Sequence, residues 1–215
     1  MFKSLSLKVI LFGFIFTFFS SFGQSFFLGL FNQSIREALS ITHGQFGSIY
    51  ASATLLSSIV LVWIGKKIDD VNILKFASYV TIFLSISCFI FSKISSVILL
   101  FIGIFLMRLA GQGLTTHTAT TTISRFFEKN RGRALSIVWL GLSLAEFILP
   151  VLIVFLLTFI EWRNLWISIS LIVIIVLPFV SYNLVREVKL DTRENTNSAK
   201  DLKEIRQWKR IEVLK

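Results

Sequence analysis

Two residues of opposite charge stand where charge is hardest to keep. Arg108 lies in an apolar run from Val97 to Ala119, 12 residues from an end near Ser96, and Glu146 lies in a run from Ala134 to Ile160, 13 residues from Arg133. At a rise of about 1.5 Å per residue these separations put them roughly 18 Å and 20 Å from opposite faces of a ~30 Å hydrocarbon layer, near its middle. An ionisable side chain at that depth is costly enough that its presence points to a role. Arg108 would attract an anion; Glu146 would bind a proton or pair with Arg108 between substrates. Equal depth on consecutive antiparallel helices predicts that the two approach each other or share one polar cavity. The competing reading is a structural ion pair that only locks the bundle.

The surroundings of Arg108 extend this chemistry. The run GQGLTTHTATTT that follows it is dense in small and hydroxyl residues, which permit close helix approach or line a polar cavity. Packing accounts for Gly111 and Gly113 better than for Gln112 and His117. Imidazole can carry protons, so His117 is a candidate proton carrier, although a lone membrane histidine also serves as a hydrogen-bonded packing residue. In the first apolar run Gln24, with Asn32 and Gln33 farther along, forms a polar stripe that faces the same cavity or serves as interhelical glue.

Other chemistries lack their residues. Cys88 is the only cysteine, so neither an intramolecular disulfide nor a cysteine metal cluster can form. An intramembrane serine protease would need a Gly-x-Ser-Gly nucleophile with a histidine at matching depth. The nearest string, Gly141-Leu142-Ser143-Leu144, has no closing glycine, and His43 lies in a loop. We expect no enzyme, no cofactor, no metal site and no nucleic-acid partner.

The elements that must position these residues are set by composition. Of 215 residues, 54% are apolar and 16% charged, and the mean hydropathy is +0.78, which excludes the water-soluble classes. Six apolar segments are separated by short polar punctuation: Leu7 to Phe31, Phe46 to Ile64, Ile73 to Phe91, Val97 to Ala119, Ala134 to Ile160 and Leu165 to Leu184. Segments of this length satisfy their backbone in lipid only as helices, and the alternation of a barrel strand is missing. The expected class is an all-α membrane protein, a six-helix transmembrane bundle over residues 1–185 followed by a charged tail over 186–215. The Met1 to Phe22 stretch has no Ala-x-Ala cleavage site and reads as a retained helix rather than a signal peptide.

The net charge of +10 is explained by location. One set of loops holds Lys3, Lys8, Lys66, Lys67, Lys75, Arg125, Lys129, Arg131, Arg133 and the tail from Arg186; the opposite set holds Arg36, Lys93 and Arg163. Basic loop residues stay inside, so both termini are expected in the cytoplasm, in an inner (plasma) membrane. In the tail, Leu202, Ile205, Trp208 and Ile211 recur at helical spacing, as in a short surface helix.

Two strings carry a resemblance. The loop GKKIDDVNILK and the segment RLAGQG resemble the major facilitator superfamily of secondary transporters. The loop matches the superfamily's motif at Gly65, Asp69 and Lys75 and departs from it at Asp70 and Asn72, where a basic residue and a glycine are usual. Downstream, RFFEKNRGRALSIVWLGLSLAEFILPVLIVFLLTFIEWR resembles the amino-terminal half of the family in order and spacing, closest to bacterial members near the monocarboxylate transporters.

The resemblance implies a helical bundle with its first and fourth segments lining a central cavity, alternating access, and Arg108 as the fixed cation. It also implies that Asp69 docks at a helix terminus of the other half and pairs with a basic residue, plausibly Arg125, as part of a cytoplasmic gate. Family members usually have twelve helices in two bundles with the substrate between them, and RQWKRIEVLK resembles the end of the loop before a seventh helix. The expected function is proton-coupled transport of a small organic anion such as a monocarboxylate by the amino-terminal half of a facilitator, completed by a complementary six-helix half or by a second copy. A non-transporting membrane subunit or inactive remnant is the alternative.

Overall fold

The computed structural model describes residues 4–69, 71–127 and 130–186. Lys3, Asp70, Lys129 and the tail with its stripe at Leu202, Ile205, Trp208 and Ile211 lie outside them. Along the described chain come α1 (Ser4–Ser20), a 3-10 turn (Ser21–Gly23), α2 (Ser25–Gly29), α3 (Asn32–Leu39), α4 (His43–Gly65), a 3-10 turn (Lys66–Asp69) and α5 (Ile73–Ser92). After these follow α6 (Val97–Met107), a π-helix (Arg108–Thr115), α7 (Thr116–Phe126), α8 (Arg131–Leu157) and α9 (Trp162–Val185). Six spans are long and apolar enough to cross a membrane: α1 with α2, α4, α5, α6 through α7, α8, and α9.

The spans fall where the apolar runs predict them, with two departures in shape. The first is broken at Gln24, whose backbone is extended (φ −80°, ψ 155°) between the 3-10 turn and α2. The fourth is not a uniform α-helix, since its middle is wound as a π-helix over Arg108–Thr115, with Thr115 Oγ1 donating to the Ala110 carbonyl at 2.8 Å. Between the first two spans lies α3, a short amphipathic helix that no apolar run announces. It ends at Ser40 in the left-handed region (φ 53°), and α4 then starts on a capping box in which Thr42 Oγ1 accepts from Gln45 N and Gln45 Oε1 accepts from Thr42 N.

Small residues decide which helices meet. On α8, Ala134, Val138, Gly141 and Ala145 are buried, and a Cβ on Gly141 would strike the Phe14 carbonyl oxygen and lie 2.5 Å from Thr17 Oγ1. The Thr17 hydroxyl bridges the two helices, with Oγ1 2.6 Å from the Val138 carbonyl and 2.9 Å from that of Phe14. On the other side α5 packs along α9, where Ser85 and Ser170 each donate to the other's carbonyl at 3.0 and 2.9 Å. Trp166 fills the centre, fully buried, with Phe27, Phe31 and Phe91 around it at ring separations of 5.5, 5.0 and 4.6 Å. Aromatic pairs of this kind add to their area burial.

Coverage is uneven. Half or more of the best apolar window is buried in the first, third and fourth spans, against 11% in α4 and 22% in α8. The exposed part of α8 has two arcs. Ser136, Trp139, Ser143 and Glu146 recur at spacings of three and four along one of them, and Leu140, Leu144, Phe147, Val151 and Phe155 along the other. On α4 the exposed residues include Gly44, Gly47, Ser48, Ala51, Ser52 and Ser58.

Candidate functional site

The site begins with two glycines. A Cβ on Gly111 would lie 2.6 Å from Gly23 N and 2.7 Å from Gly23 Cα, and one on Gly23 would lie 2.5 Å from Gln112 N and strike the Met107 carbonyl. The first and fourth spans therefore touch backbone to backbone, which only glycine permits. Gly23 precedes the N-cap of α2, so its carbonyl falls outside that helix's hydrogen-bond ladder and needs an acceptor's partner elsewhere. Arg108 supplies it. Its Nη1 donates to Gly23 O at 3.0 Å and to Ser25 Oγ at 3.3 Å.

Arg108 is 8% exposed. Its guanidinium lies 5.6 Å from the centre of the Tyr50 ring on α4, within reach of a cation–π attraction, and its Nε is buried with no hydrogen-bond partner. The Tyr50 and Thr54 hydroxyls, one turn apart on α4, are likewise buried and unpartnered. Beside them a cleft of about 290 Å³ is lined by Ser25, Gly29, Asn32, Phe46, Gly47 and Tyr50. A buried cation thus rests on a carbonyl, a hydroxyl and an aromatic face, with no carboxylate among its partners.

The residues expected around it are distributed as follows. Gln24 sits at the break in the first span, and Gln112 follows Gly111 in the segment that touches Gly23, so the glycine contact brings Gln24, Arg108 and Gln112 to one place; both amides are half-buried. Asn32 lines the cleft and its Oδ1 accepts from Arg36 Nε at 2.7 Å, while Gln33 donates to Glu37 at 2.8 Å on the exposed side of α3. His117 is not at this centre. Its Nε2 is 3.0 Å from the Gly65 carbonyl at the end of α4, beside Lys66 and a cleft of about 280 Å³.

The direct Arg108–Glu146 contact does not form. Arg108 turns to the first span and α4, and Glu146 is exposed on α8 with no hydrogen bond or ion pair among the described residues. The reason is azimuth: Glu146 follows buried Ala145 by one residue, about 100° around the helix from the face that packs on α1, and falls on the arc with Ser136, Trp139 and Ser143. The loop residues do come together in part. Arg125 Nη1 donates to the Ile68 carbonyl at 3.4 Å, next to Asp69 in the 3-10 turn. The Asp69 side chain lies outside the described part, and Lys75 is exposed in the first turn of α5.

Sequence reasoning missed Tyr50, Thr54 and Ser25. Tyr50 and Thr54 were legible as a pair at helical spacing inside an apolar run; Ser25 gains its place only from the helix break.

Chemically, the arrangement holds a buried positive charge within the fourth span, with an unpartnered Nε and two neighbouring hydroxyls, a set of groups suited to an anion. Among the described residues no group of three or more His, Cys, Asp or Glu could hold a metal ion. A search of curated proteins finds no match. The sequence profile described as Major Facilitator Superfamily matches residues 13–214. With six apolar spans and no strand among the described residues, and with that match over nearly its whole length, the chain belongs to the major facilitator superfamily, a family of membrane transporters.

Proposed function

We propose that this bundle forms one wall of a central cavity that carries a small organic anion, a monocarboxylate in the simplest case, across an inner (plasma) membrane by proton-coupled alternating access. The observation that carries the reading is Arg108: a buried cation whose partners are neutral and whose Nε has none. A buried charge without a counter-ion is costly in the protein and more so in a membrane. A carboxylate arriving from the cavity would remove that cost, which makes anion binding favourable where a neutral solute gains nothing. Tyr50 and Thr54 supply donors for the same group, and Glu146, on the polar arc of α8, is the proton carrier that takes the place of the anion's charge between cycles.

The reading includes a second six-helix bundle, on a longer chain, a separate chain or a second copy, covering the small and polar faces of α4 and α8. Both ends of the described bundle then lie in the cytoplasm, the orientation that the distribution of basic residues over its loops supports. The test is uptake of labelled short carboxylates into proteoliposomes under a proton gradient, with and without a carboxyl-terminal bundle of the same family. Uptake that needs the second bundle, is lost in Arg108→Gln and loses its gradient dependence in Glu146→Gln supports the reading. Uptake unchanged in Arg108→Gln sinks the anion site. Robust uptake by the chain alone, with crosslinks only between copies, installs a homodimer as the working unit.

A further inference from the structure

Although α4 and α5 are consecutive, they meet chiefly through shared neighbours, since α6 and the π-helix pack on both, with α9 along α5 as well. A groove of about 390 Å³ is left beside them, with Ile64 and Lys67 from the end of α4 and its turn, Phe76, Val80 and Phe83 along α5, and Leu114 of the π-helix among its lining. Its walls are carbon except at one end, where Lys67 stands exposed. Neither Lys67 nor its neighbours Lys66 and Lys75 makes a hydrogen bond or ion pair within the described residues. At this same end Trp63 is 75% exposed and Tyr79, also at the groove, is 64% exposed. Amphipathic aromatics on an open helix face belong at head-group depth.

We infer that the groove is a binding site for one anionic diacyl phospholipid of the leaflet at the basic end, its acyl chain along Phe76, Val80 and Phe83 and its phosphate on Lys67. Three features select that occupant. The carbon walls exclude a free polar anion, since a soluble phosphate would gain nothing from Phe76, Val80 or Leu114. The mouth lies at the level of Trp63 and Lys67, near the ends of α4 and its turn, so an acyl chain enters the groove while its head group stays at the bilayer surface. The charge is complementary: three lysines stand against Asp69 and Asp70 in the stretch from 65 to 75, and basic pockets between helices on the cytoplasmic side select anionic head groups. Arg125 fixes the turn at Ile68, one residue from Lys67, so the lysine is presented on anchored backbone. The site does not rest on the anion-transport reading, because Phe76, Val80, Phe83 and Leu114 belong neither to the polar arc of α8 nor to the residues around Arg108.

The experiment is native mass spectrometry of the full chain released from bilayers of equal phosphatidylglycerol and phosphatidylcholine. We expect one phosphatidylglycerol retained in preference to phosphatidylcholine, and a loss of about fivefold in that preference in Lys67→Gln, the effect of one lysine at a membrane surface. Arg133→Gln removes the same charge from the exposed start of α8 and should leave the preference unchanged. Excess soluble glycerol phosphate should not displace the lipid. Equal retention of the two lipids, equal losses in the two variants, or displacement by glycerol phosphate would each overturn the proposal. Lys67 is exposed, so its substitution leaves the fold intact, which circular dichroism checks.

Discussion

Gly23→Ala should damage this protein more than any other single methyl group added to its first span. The new Cβ would sit 2.5 Å from Gln112 N and 2.7 Å from Gly111 Cα, and would also strike the Met107 carbonyl. All three obstacles are backbone, which cannot rotate aside. Restoring ordinary contact at about 3.5 Å requires the spans to separate by roughly 1 Å. Overpacking of that kind costs about 1–3 kcal/mol. The same displacement stretches the Arg108–Gly23 hydrogen bond from 3.0 Å to a length at which it no longer counts as one, and a bond from a charged donor is worth about 1.5–3 kcal/mol. Together the two effects predict a loss of roughly 3–5 kcal/mol, enough to remove most folded protein. Gly29→Ala is the control: it lies in the same span with nothing within 4 Å of its added Cβ, and should change stability by less than about 1 kcal/mol. Thermal unfolding in detergent, followed by size-exclusion chromatography of the soluble fraction, separates the two. Equal midpoints for Gly23→Ala and Gly29→Ala would refute the backbone contact and the placement of Arg108 that depends on it.

Four further outcomes follow from the packing. Thr17→Val should lower stability by about 1 kcal/mol by removing the hydroxyl between α1 and α8, read from the same thermal midpoint. Ser85→Ala and Ser170→Ala should cost less together than the sum of the two singly, because each leaves the other's partner unpaired; a double-mutant cycle measures it. Cys88 is fully buried, so a maleimide should label it only as the bundle unfolds, which makes labelling rate an unfolding assay. With the second bundle present, a cysteine at Ser143 should react with a water-soluble thiol reagent and one at Phe147 should not, since the first lies on the polar arc of α8 and the second, 80% exposed, on its apolar arc.

The spans were readable because a long apolar run has only one solution in lipid, and the ends of α4, α5 and α9 fall within a few residues of the limits their punctuation sets. Arg108 was readable for the same reason in reverse, as the residue whose cost the run could not explain. Its partners were not. The contact between Gly23 and Gly111 joins distant parts of the chain, and neither glycine differs locally from Gly13 or Gly103, so the break at Gln24 and the π-helix had no signal of their own. Tyr50 and Thr54 can be read as a pair one turn apart in an apolar run, but nothing in the sequence sets that pair against Arg108. The pairing of Arg108 with Glu146 was inferred from depth alone, which leaves rotation about the axis free. Spacing held the missing information: Ala134, Val138, Gly141 and Ala145 mark the packing face of α8, and Glu146 is one step of about 100° beyond it.

That step decides what kind of exposure Glu146 has. On a helix whose open surface were all lipid-facing, apolar residues would fill the whole arc outside the packing face. On α8 they hold the part with Leu140, Leu144, Phe147, Val151 and Phe155, while the other part carries Ser136, Trp139, Ser143 and Glu146 over its first half and turns apolar only at Val154. On α4 the division runs along the helix: its open face is small from Gly44 to Ser52 and apolar at Leu55, Ile59, Val62 and Trp63, like the open faces of α5 and α9, where Ile82, Ile86, Phe89, Ile172, Ile175 and Phe179 are exposed. Hydrocarbon gains nothing from glycine or serine over leucine, whereas a second helix does, because small residues let backbones approach. The surfaces least suited to lipid are therefore the Gly44–Ser52 stretch of α4 and the arc of α8 from Ser136 to Glu146, and Arg108, which turns to Tyr50 on α4, and Glu146 both lie beside them. A second helix packed there would gain what hydrocarbon does not, which is the physical ground for the cover proposed above over Arg108 and Glu146.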